Sequence, residues 1–364
     1  MKVSHVLCAL ICAIACSRAL LADTETVLLL HTNDFHDHIR ESPSNCGGLP
    51  YVSGYVQSVK SNRSDVLLLD GGDVLNKGDF VSNVTKGSVM YSAMKRIGYD
   101  VAVPGNHDFT YGLDNLYSNM AVAGFPIVCA NADSTSDRPL QLPKSVVVDV
   151  DGISVGVIGA TTSSGGVSKP WRVLSLEETG RVLAAEAERL EPQVQLTVVL
   201  IHRGSNDCRA LAKAAPGVDV FVAGHTHEAL QQPIAINESN TLIVEAGSNA
   251  NYVGRLELTI DVESEEIVAH RGELVRLDHE TTPCDESMVS WIQDVEKKMC
   301  PAVNRVFGQC EKSLNRTRIA QVTAKALRLS ADVEIGLCNT KYAFGGLNEG
   351  QVIDLNSIFR THVY

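Results

Sequence analysis

The chain has 364 residues, of which 45% are hydrophobic and 20% are charged, a balance that argues against intrinsic disorder. The length allows one large domain and part of a second. The formal net charge of −12 argues against a nucleic-acid-binding protein, so an anionic substrate would need local positive charge, for instance from bound metal ions.

The first 22 residues have the pattern of a signal peptide. One lysine precedes an apolar stretch over residues 6–16, and small residues suited to cleavage follow near Ala19 and Ala22. The apolar stretch is too short to cross a membrane, and we expect no transmembrane segment. We therefore predict a secreted, extracellular protein, or a periplasmic one in a bacterial host.

Seven of the ten cysteines follow residue 22, and secretion predicts that some of them form disulfides. The odd number leaves at least one thiol free or paired with another chain, and the pairing is not predicted. No two cysteines are spaced as CxxC, which argues against a cysteine zinc site. Four sequons would accept N-linked glycans in a eukaryotic host: Asn62, Asn83, Asn237 and Asn315.

Short β-branched runs alternate with helix-like segments along most of the chain. Strands are predicted at 27–30, 66–69, 101–103, 153–158, 198–201, 218–222 and 242–245. Helices are predicted between several of them, at 51–60, 89–97 and 176–190. This alternation predicts an α/β domain in which helices cover layers of β-sheet.

The pattern changes after the last of these strands. Residues 254–270 alternate like an edge hairpin, 288–298 indicate a helix, and 300–315 a linker. From Arg318 the sequence predicts another helix, a strand near 333–337 and a glycine-rich turn, which together are too short for a typical domain. The predicted organisation is therefore a main domain over 24–278, a linker with a helix over 279–317, and an incomplete C-terminal domain over 318–364.

Polar residues follow five of the predicted strands at the point where each strand ends. In open α/β sheets, ligands bind beyond the carboxyl ends of the strands, so we expect these five segments to meet at one site. Their sequences are HTNDFH at 31–36, DGGD at 70–73, PGNHD at 104–108, HRG at 202–204 and AGHTH at 223–227.

The side chains in these segments suit a pair of divalent metal ions. Asp34 and His36 offer an oxygen and a nitrogen from neighbouring positions, and a carboxylate such as Asp73 can bridge two ions about 4 Å apart. Mixed oxygen and nitrogen ligands without thiolate favour Zn, Mn or Fe. The remaining candidate ligands are Asn106, His202, His225 and His227.

These segments resemble the motifs of the calcineurin-like metallophosphoesterases, and within them of the 5′-nucleotidase family. The similarity covers about residues 24–275, and a weaker match continues to residue 364. It implies a layered β-sandwich flanked by helices, with a partial C-terminal α/β domain. It also implies a phosphohydrolase that removes phosphate from nucleoside 5′-monophosphates or related nucleotides by attack of metal-activated water. The matching segments are HTNDFHDH, DGGDVL, PGNHDFTYG, IHRG, AGHTH and VEAGSNANYVGRLEL.

The resemblance also implies a role for each residue of the site. His107 would be the catalytic residue beside the substrate phosphate, where it stabilises the transition state or assists the leaving group. No substrate-binding residue is predicted. One ion would be held by Asp34, His36, Asp73 and His227, and the other by Asp73, Asn106, His202 and His225.

Three features depart from the family pattern. The family pairs the histidine equivalent to His107 with an aspartate three residues later, where this chain has Thr110, as in the sulfate-thiol hydrolase branch. The phosphate-binding arginine of the family is replaced by Phe344 or Asn348, depending on the alignment, and Lys341 is an imperfect substitute. The C-terminal domain of the family is longer and carries an aromatic pair that clamps the base.

Three hypotheses therefore stay open. The first is hydrolysis of nucleoside 5′-monophosphates or related nucleotides. The second keeps the metal site but changes the bond that is hydrolysed to that of a sulfur ester, a phosphodiester or a nucleotide sugar. Thr110 is the residue that suggests this hypothesis. The third is a non-catalytic relative that binds nucleotides. The metal, the leaving group and the oligomeric state are not determined by the sequence.

Overall fold

The structure is a computed structural model that describes residues 24–40, 45–76, 78–134, 140–162, 171–302, 305–343 and 345–361. The signal peptide predicted at 1–22, as well as Phe344, lies outside the described residues. Among the described residues, no helix combines the length and the apolar character needed to span a lipid bilayer.

The described residues form short strands and helices that alternate in most of the chain. The strands are β1 (Thr24–Thr32), β2 (Val66–Asp70), β3 (Val101–Ala102), β4 (Ala132–Ser134), β5 (Ser145–Val150), β6 (Ile153–Ala160), β7 (Trp171–Val173), β8 (Leu196–Ile201), β9 (Val220–Ala223), β10 (Ile234–Ile236), β11 (Thr241–Glu245), β12 (Tyr252–Asp261), β13 (Ile267–Arg276), β14 (Gly308–Gln309) and β15 (Val352–Ile353). The α-helices are α1 (Leu49–Lys60), α2 (Phe80–Val84), α3 (Ser88–Ile97), α4 (Leu113–Ala123), α5 (Leu176–Leu190), α6 (Gly204–Ala214), α7 (Glu286–Met299), α8 (Arg316–Ser330) and α9 (Leu355–Arg360).

Two sheets pack face to face. The first has the strand order β13-β12-β1-β2-β3, and the second has the order β10-β11-β9-β8-β6-β5. Alternate residues of β1 and β2, such as Leu29 and Leu69, face the second sheet, where they meet residues such as Val157 and Val198. All four side chains are fully buried, so this apolar layer joins the sheets and forms the sandwich.

Helices cover the outer face of each sheet. On the first sheet, Leu30 and Leu68 pack in one cluster with Met94 of α3 and Met288 of α7. On the second sheet, Val199 and Phe221 pack in a cluster with residues of α5 and α6. The predicted α/β class and the layered sandwich flanked by helices are confirmed.

Parallel pairing places the candidate site at one edge of the sandwich. Strands β1, β2 and β3 are parallel to one another, and so are β6, β8, β9 and β11. Each of the five polar segments follows the carboxyl end of one of these strands, namely β1, β2, β3, β8 and β9. The polar loops of both sheets therefore lie at the same end of the sandwich.

The edge hairpin predicted at 254–270 is confirmed, since β12 pairs with β13 and β13 is the edge strand of the first sheet. Two sequence predictions differ from the structure. No strand forms at 333–337, where Ile335 and Leu337 are 74% and 83% exposed and lack a sheet to pack against. None of the seven cysteines after residue 22, all within the described residues, takes part in a disulfide. The bounds of the three predicted domains stay a prediction.

Candidate metal centre

The candidate ligands lie in strained loops. Non-glycine residues with a left-handed backbone cost about 1–3 kcal/mol each, and such strain clusters at functional sites. Backbone hydrogen bonds impose it here, since Asp34 N donates to Gly72 O at 2.8 Å and His36 N donates to Asp73 O at 3.0 Å. The left-handed candidates, with their φ angles, are Asp34 (53°), His36 (48°), Asp73 (56°), His225 (85°) and His227 (57°).

Asp34, His36 and His227 form the first group of converging ligand atoms. Asp34 Oδ1 lies 3.4 Å from Nε2 of His36 and 3.3 Å from Nε2 of His227. The other carboxylate oxygen, Oδ2, accepts hydrogen bonds from Asn33 Nδ2 and from the His225 backbone N–H, both at 2.8 Å. One oxygen of Asp34 is thus anchored by the protein, and the other is directed at two imidazoles.

Asp73, His202 and His225 form the second group. His202 Nε2 lies 3.1 Å from Asp73 Oδ2 and 3.9 Å from Asp34 Oδ1, which links the two groups. His202 Nδ1 lies 2.8 Å from the carbonyl oxygen of Gly71, which can only accept. Nδ1 therefore carries the proton of the neutral ring, and Nε2 offers a lone pair to the site, an arrangement typical of metal-binding histidines.

Three of the candidate ligands have a buried polar atom without a hydrogen-bond partner among the described residues. These atoms are Asp34 Oδ1, Asn106 Oδ1 and His202 Nε2, and their residues are at most 8% exposed. Buried polar atoms are nearly always paired, so three unpartnered atoms among the candidate ligands indicate a missing partner. The atoms are two oxygens and an imidazole nitrogen, a donor set that fits Zn, Mn or a similar divalent cation.

The charges of the candidate ligands support the same conclusion. Burial alone would raise the pKa of Asp34, but the nearby imidazoles of His227, His36 and His202 hold it well below its usual value. Burial alone would lower the pKa of His202, but Asp73 and Asp34 raise it to about 10. The carboxylates thus stay ionised and attract positive charge, which a divalent cation would supply in place of the proton.

His107 reaches the centre from the loop after β3. Its side chain is 38% exposed, and its ring centroid lies 5.4 Å from that of His36. Asp73 Oδ2, at 4.0 Å from Nε2, is the one carboxylate oxygen within that distance among the described residues. Burial lowers the pKa of His107. His107 also converges with His36 and Asp73, so its position alone would suit a ligand as well as a catalytic residue.

Thr110 stands one turn after His107 and carries no charge. Residues 107–109 form a 3-10 helix, in which side chains three positions apart lie on the same face. Thr110 is half-buried, and its backbone N–H donates to His107 O at 2.9 Å. The position three residues after His107 is therefore suited to contact the imidazole, but no carboxylate is there.

Asp108 has a structural role that sequence reasoning did not assign. This fully buried carboxylate accepts hydrogen bonds from the backbone N–H groups of Asp73, Leu75 and Gly105, at 3.0, 3.0 and 2.7 Å. It therefore joins the loop that carries Asp73 to the loop that carries Asn106. An acidic residue next to Asn106 and His107 was the available signal, but two of its partners, Asp73 and Leu75, lie 35 and 33 positions away in the sequence.

The C-terminal residues considered for phosphate binding lie on the surface. Lys341 and Asn348 are exposed, and Asn348 lines a cavity of about 400 Å³ together with Arg40 and Arg360. Arg40 lies 2.9 Å from Asp79 and also pairs with Glu296, while Arg360 lies 3.6 Å from Asp79. These two arginines are thus neutralised by carboxylates, and no substrate-binding residue is assigned.

The comparisons with known proteins agree with this centre. The sequence model of the family described as Calcineurin-like phosphoesterase matches residues 27–229. An uncharacterized metallophosphoesterase, YunD of Bacillus subtilis, is 26% identical over 91% of this chain and 72% of its own length. A 5′-nucleotidase of Diplobatis ommata is 26% identical over 86% of this chain and 59% of its own length, so the chain spans little more than half of that relative.

Solved structures share the fold. A 5′-nucleotidase precursor of Thermus thermophilus superposes with a TM-score of 0.77 at 24% identity, over 93% of this chain and 74% of that one. The sulfate thiohydrolase SoxB of Thermus thermophilus superposes with a TM-score of 0.73 at 16% identity, over 92% and 73% of the two chains. At these identities the superpositions establish the architecture alone.

Proposed function

Because this chain belongs to the calcineurin-like phosphoesterase family, and within it to the 5′-nucleotidase group of metallophosphoesterases, we propose that it is a secreted dinuclear phosphohydrolase of nucleotides. Members of this family are hydrolases that act on phosphoric ester bonds. The proposed substrates are nucleoside 5′-monophosphates or related nucleotides. The observation that carries the proposal is the link between the two groups of converging ligand atoms, since His202 Nε2 lies 3.1 Å from Asp73 Oδ2 and 3.9 Å from Asp34 Oδ1.

The proposed ligand sets follow the two groups of converging atoms. Two bound divalent ions would act as Lewis acids and would lower the pKa of a water molecule so that it attacks phosphorus near neutral pH. Asp73 is the proposed bridge, since it converges with His36 and His107 on one side and with His202 and His225 on the other. One ion would be held by Asp34, His36, Asp73 and His227, and the other by Asp73, Asn106, His202 and His225.

His107 is the proposed catalytic residue. Its half-exposed imidazole lies at the open side of the centre, where its N–H can donate to an oxygen of the substrate phosphate. The protonated ring can also pass its proton from Nε2 to the oxygen of the departing group. Both contributions require a hydrogen on the imidazole that faces the substrate, so the activity will depend on the protonation of His107.

Thr110 supports a second candidate function on the same centre. With Thr110 in place of a carboxylate at that position, the imidazolium form of His107 is less favoured, which hinders substrates whose leaving group needs a proton. A sulfur ester, a phosphodiester or a nucleotide sugar with a better leaving group would be less affected. A non-catalytic nucleotide-binding role is less well supported, because binding alone gives no chemical reason for a complete ligand set.

The test is metal-dependent hydrolysis by the purified chain. AMP, p-nitrophenyl phosphate, bis-p-nitrophenyl phosphate and a sulfur ester would be compared with Mn or Zn present. The variant Asp73→Asn should lose activity, while Asp294→Asn, a change at an exposed aspartate of α7, should not. Release of phosphate from AMP supports the nucleotidase, and turnover of the diester or sulfur ester alone supports the second candidate. Metal binding without any turnover would refute hydrolysis and leave a binding role.

Secretion has its own test. The predicted signal peptide at 1–22 lies outside the described residues, so support comes from the sequence pattern alone. Expression of the full chain in a secreting host should release a product that starts near residue 20 or 23, as measured by mass spectrometry of its N-terminal peptide. Retention of the intact N-terminus on a protein inside the cell would contradict secretion.

A further inference from the structure

Glu245 is a buried carboxylate without a cationic partner beside the metal centre. It ends strand β11 and is fully buried, and no lysine, arginine or histidine of the described residues lies within 4.0 Å of its carboxylate. Burial raises the pKa of Glu245. Buried acids without a cation are costly, so Glu245 needs another physical reason for its position. The segment VEAGSNANYVGRLEL contains it, and the proposed mechanism assigns this segment no role.

The hydrogen bonds of the Glu245 carboxylate all go to the loop that carries His225 and His227. Its two carboxylate oxygens accept from the Thr226 hydroxyl at 2.8 and 3.0 Å. The oxygen at 2.8 Å also accepts from the backbone N–H of Glu228 at 3.0 Å. Thr226 stands between the two histidines and Glu228 follows the second, so the carboxylate is hydrogen-bonded to the loop on both sides of His227.

This loop needs an external support. Both histidines have a left-handed backbone, with φ of 85° at His225 and 57° at His227, a conformation that side chains other than glycine do not favour. His227 is also 45% exposed, so packing of its ring does not fix its position. The Glu245 carboxylate is a buried, rigid acceptor that can hold the backbone in this conformation.

The neighbours of Glu245 attach the same segment to the other sheet. Asn33 Oδ1 accepts from Ala246 N at 2.7 Å, and Asn33 Nδ2 donates to Gly247 O at 2.7 Å. Asn33 Nδ2 also donates to Asp34 Oδ2 at 2.8 Å. Residues 245–247 therefore connect the Asp34 loop of the first sheet with the His227 loop of the second.

We propose that Glu245 is a positioning residue that holds His225 and His227 in ligand geometry through its hydrogen bonds to Thr226 and Glu228. The inference rests on the dinuclear centre proposed above. Loss of a residue that orients metal ligands typically lowers metal affinity about 10- to 100-fold. The replacement Glu245→Ala should therefore weaken the binding of metal by about that factor. Glu245→Gln should keep the affinity, because its amide oxygen still accepts both hydrogen bonds.

The experiment measures metal binding, so that it does not depend on an assay of activity. Titration calorimetry with Mn²⁺ and the visible absorption of the Co²⁺-loaded protein would be recorded for the wild type, Glu245→Ala and Glu245→Gln. The matched control is Glu273→Ala, a change at a carboxylate of β13 that is 46% exposed. The Co²⁺ spectrum reports ligand geometry, which a loss of general stability in a folded variant would not alter.

A second pair of variants tests the inference independently if Glu245→Ala does not fold. Thr226→Val removes the donor hydroxyl and should weaken metal binding, whereas Thr226→Ser should restore it. Wild-type affinity and an unchanged Co²⁺ spectrum in Glu245→Ala or in Thr226→Val would overturn the inference. Equal loss in Glu245→Gln and Glu245→Ala would also overturn it, because the effect would then come from charge. Failure of the wild type to bind metal would instead refute the proposed function.

Discussion

The Nε2 atoms of His36 and His227 lie 2.9 Å apart, although the two residues are 191 positions apart and belong to loops of different sheets. Two neutral imidazoles can make this contact only if one of them donates its proton to the other. Both nitrogens also lie within 3.5 Å of Asp34 Oδ1, so a bound cation could replace that proton and satisfy all three atoms. The two sheets are thus joined at a point where a metal ion would add to their stability.

We therefore expect the folded protein to be stabilised by divalent metal. A ligand present at 100 times its dissociation constant stabilises the native state by about 2.7 kcal/mol. Addition of Mn²⁺ or Zn²⁺ should raise the melting temperature in a thermal scan, and EDTA should reverse the shift. His227→Ala should lose most of the shift, whereas His270→Ala, a change at an exposed residue of β13, should keep it. Identical melting curves with metal and with EDTA would contradict the prediction.

The replacement Thr110→Asp should raise the pKa of His107. Position 110 lies on the same face of the 3-10 turn as His107, and a carboxylate there favours the charged imidazolium. The imidazolium would then persist to higher pH, so the limb of the pH–rate profile that reports loss of this proton should move upward. The gain in kcat/KM should be greater for AMP, whose alkoxide needs a proton, than for p-nitrophenyl phosphate.

Thr110→Ser is the matched control for this change, since it keeps a hydroxyl and adds no charge. Its pH–rate profile should follow that of the wild type with both substrates. If Thr110→Asp leaves the profile where it is, or benefits both substrates equally, then His107 does not protonate the leaving group.

Gly105→Ala should displace a proposed metal ligand through a steric clash. The added methyl group would press against the carboxylate and the backbone nitrogen of Asp73, the proposed bridging ligand. Overpacking of this kind typically costs about 1–3 kcal/mol, and here the displaced group would be a ligand. We expect reduced metal content by elemental analysis and a lower melting temperature.

The control for this prediction is Gly156→Ala in strand β6. There the added methyl group would meet the side chains of Leu190 and Val194 at 3.1–3.4 Å, away from the candidate ligands. This variant should keep its full metal content even if its stability falls. Normal metal content in Gly105→Ala would show that Asp73 does not need its present position.

Asp219→Asn should stabilise the protein at neutral pH. Asp219 precedes β9 at the end of the sheet opposite the metal centre, and burial raises its pKa from 3.8 to about 6. Between pH 4 and 6 the folded state therefore binds more protons than the unfolded state, so the free energy of unfolding falls as pH rises through this window. Above pH 6 the free energy of unfolding of the wild type is lowered by up to about 3 kcal/mol, and Asp219→Asn should not show this decrease.

Urea unfolding of the wild type and of Asp219→Asn, measured from pH 4 to pH 8, would check this prediction. The amide oxygen of the variant side chain can still accept the hydrogen bond from Thr197 N, which is 2.7 Å long in the wild type. The difference between the two proteins should be small at pH 4 and should grow through pH 6. Equal stability of the wild type and Asp219→Asn at pH 8 would show that burial of the Asp219 carboxylate does not destabilise the folded protein.

Sequence reasoning predicted most of the strands that position the centre, because buried parallel strands are short apolar runs and the polar loops begin where those runs end. It missed β4, β5, β7, β10, β14 and β15, and it predicted a strand at 333–337 that the structure lacks. It predicted the edge hairpin of β12 and β13, but not that β12 pairs with β1. Strand order depends on pairing between distant segments, and a residue pattern along one strand does not record it.

The sequence by itself predicted which side chains would carry the proposed chemistry, since the type and spacing of Asp34, His36, Asp73 and Asn106 are local properties of loops that end strands. Only the tertiary structure decided which atoms of these residues remain unpartnered and which neighbours hold them. The contacts of Asp108 with Asp73 and of Glu245 with Thr226 illustrate the difference. The first spans 35 positions and the second spans 19, and both serve loops whose conformation is fixed by the packing of two sheets.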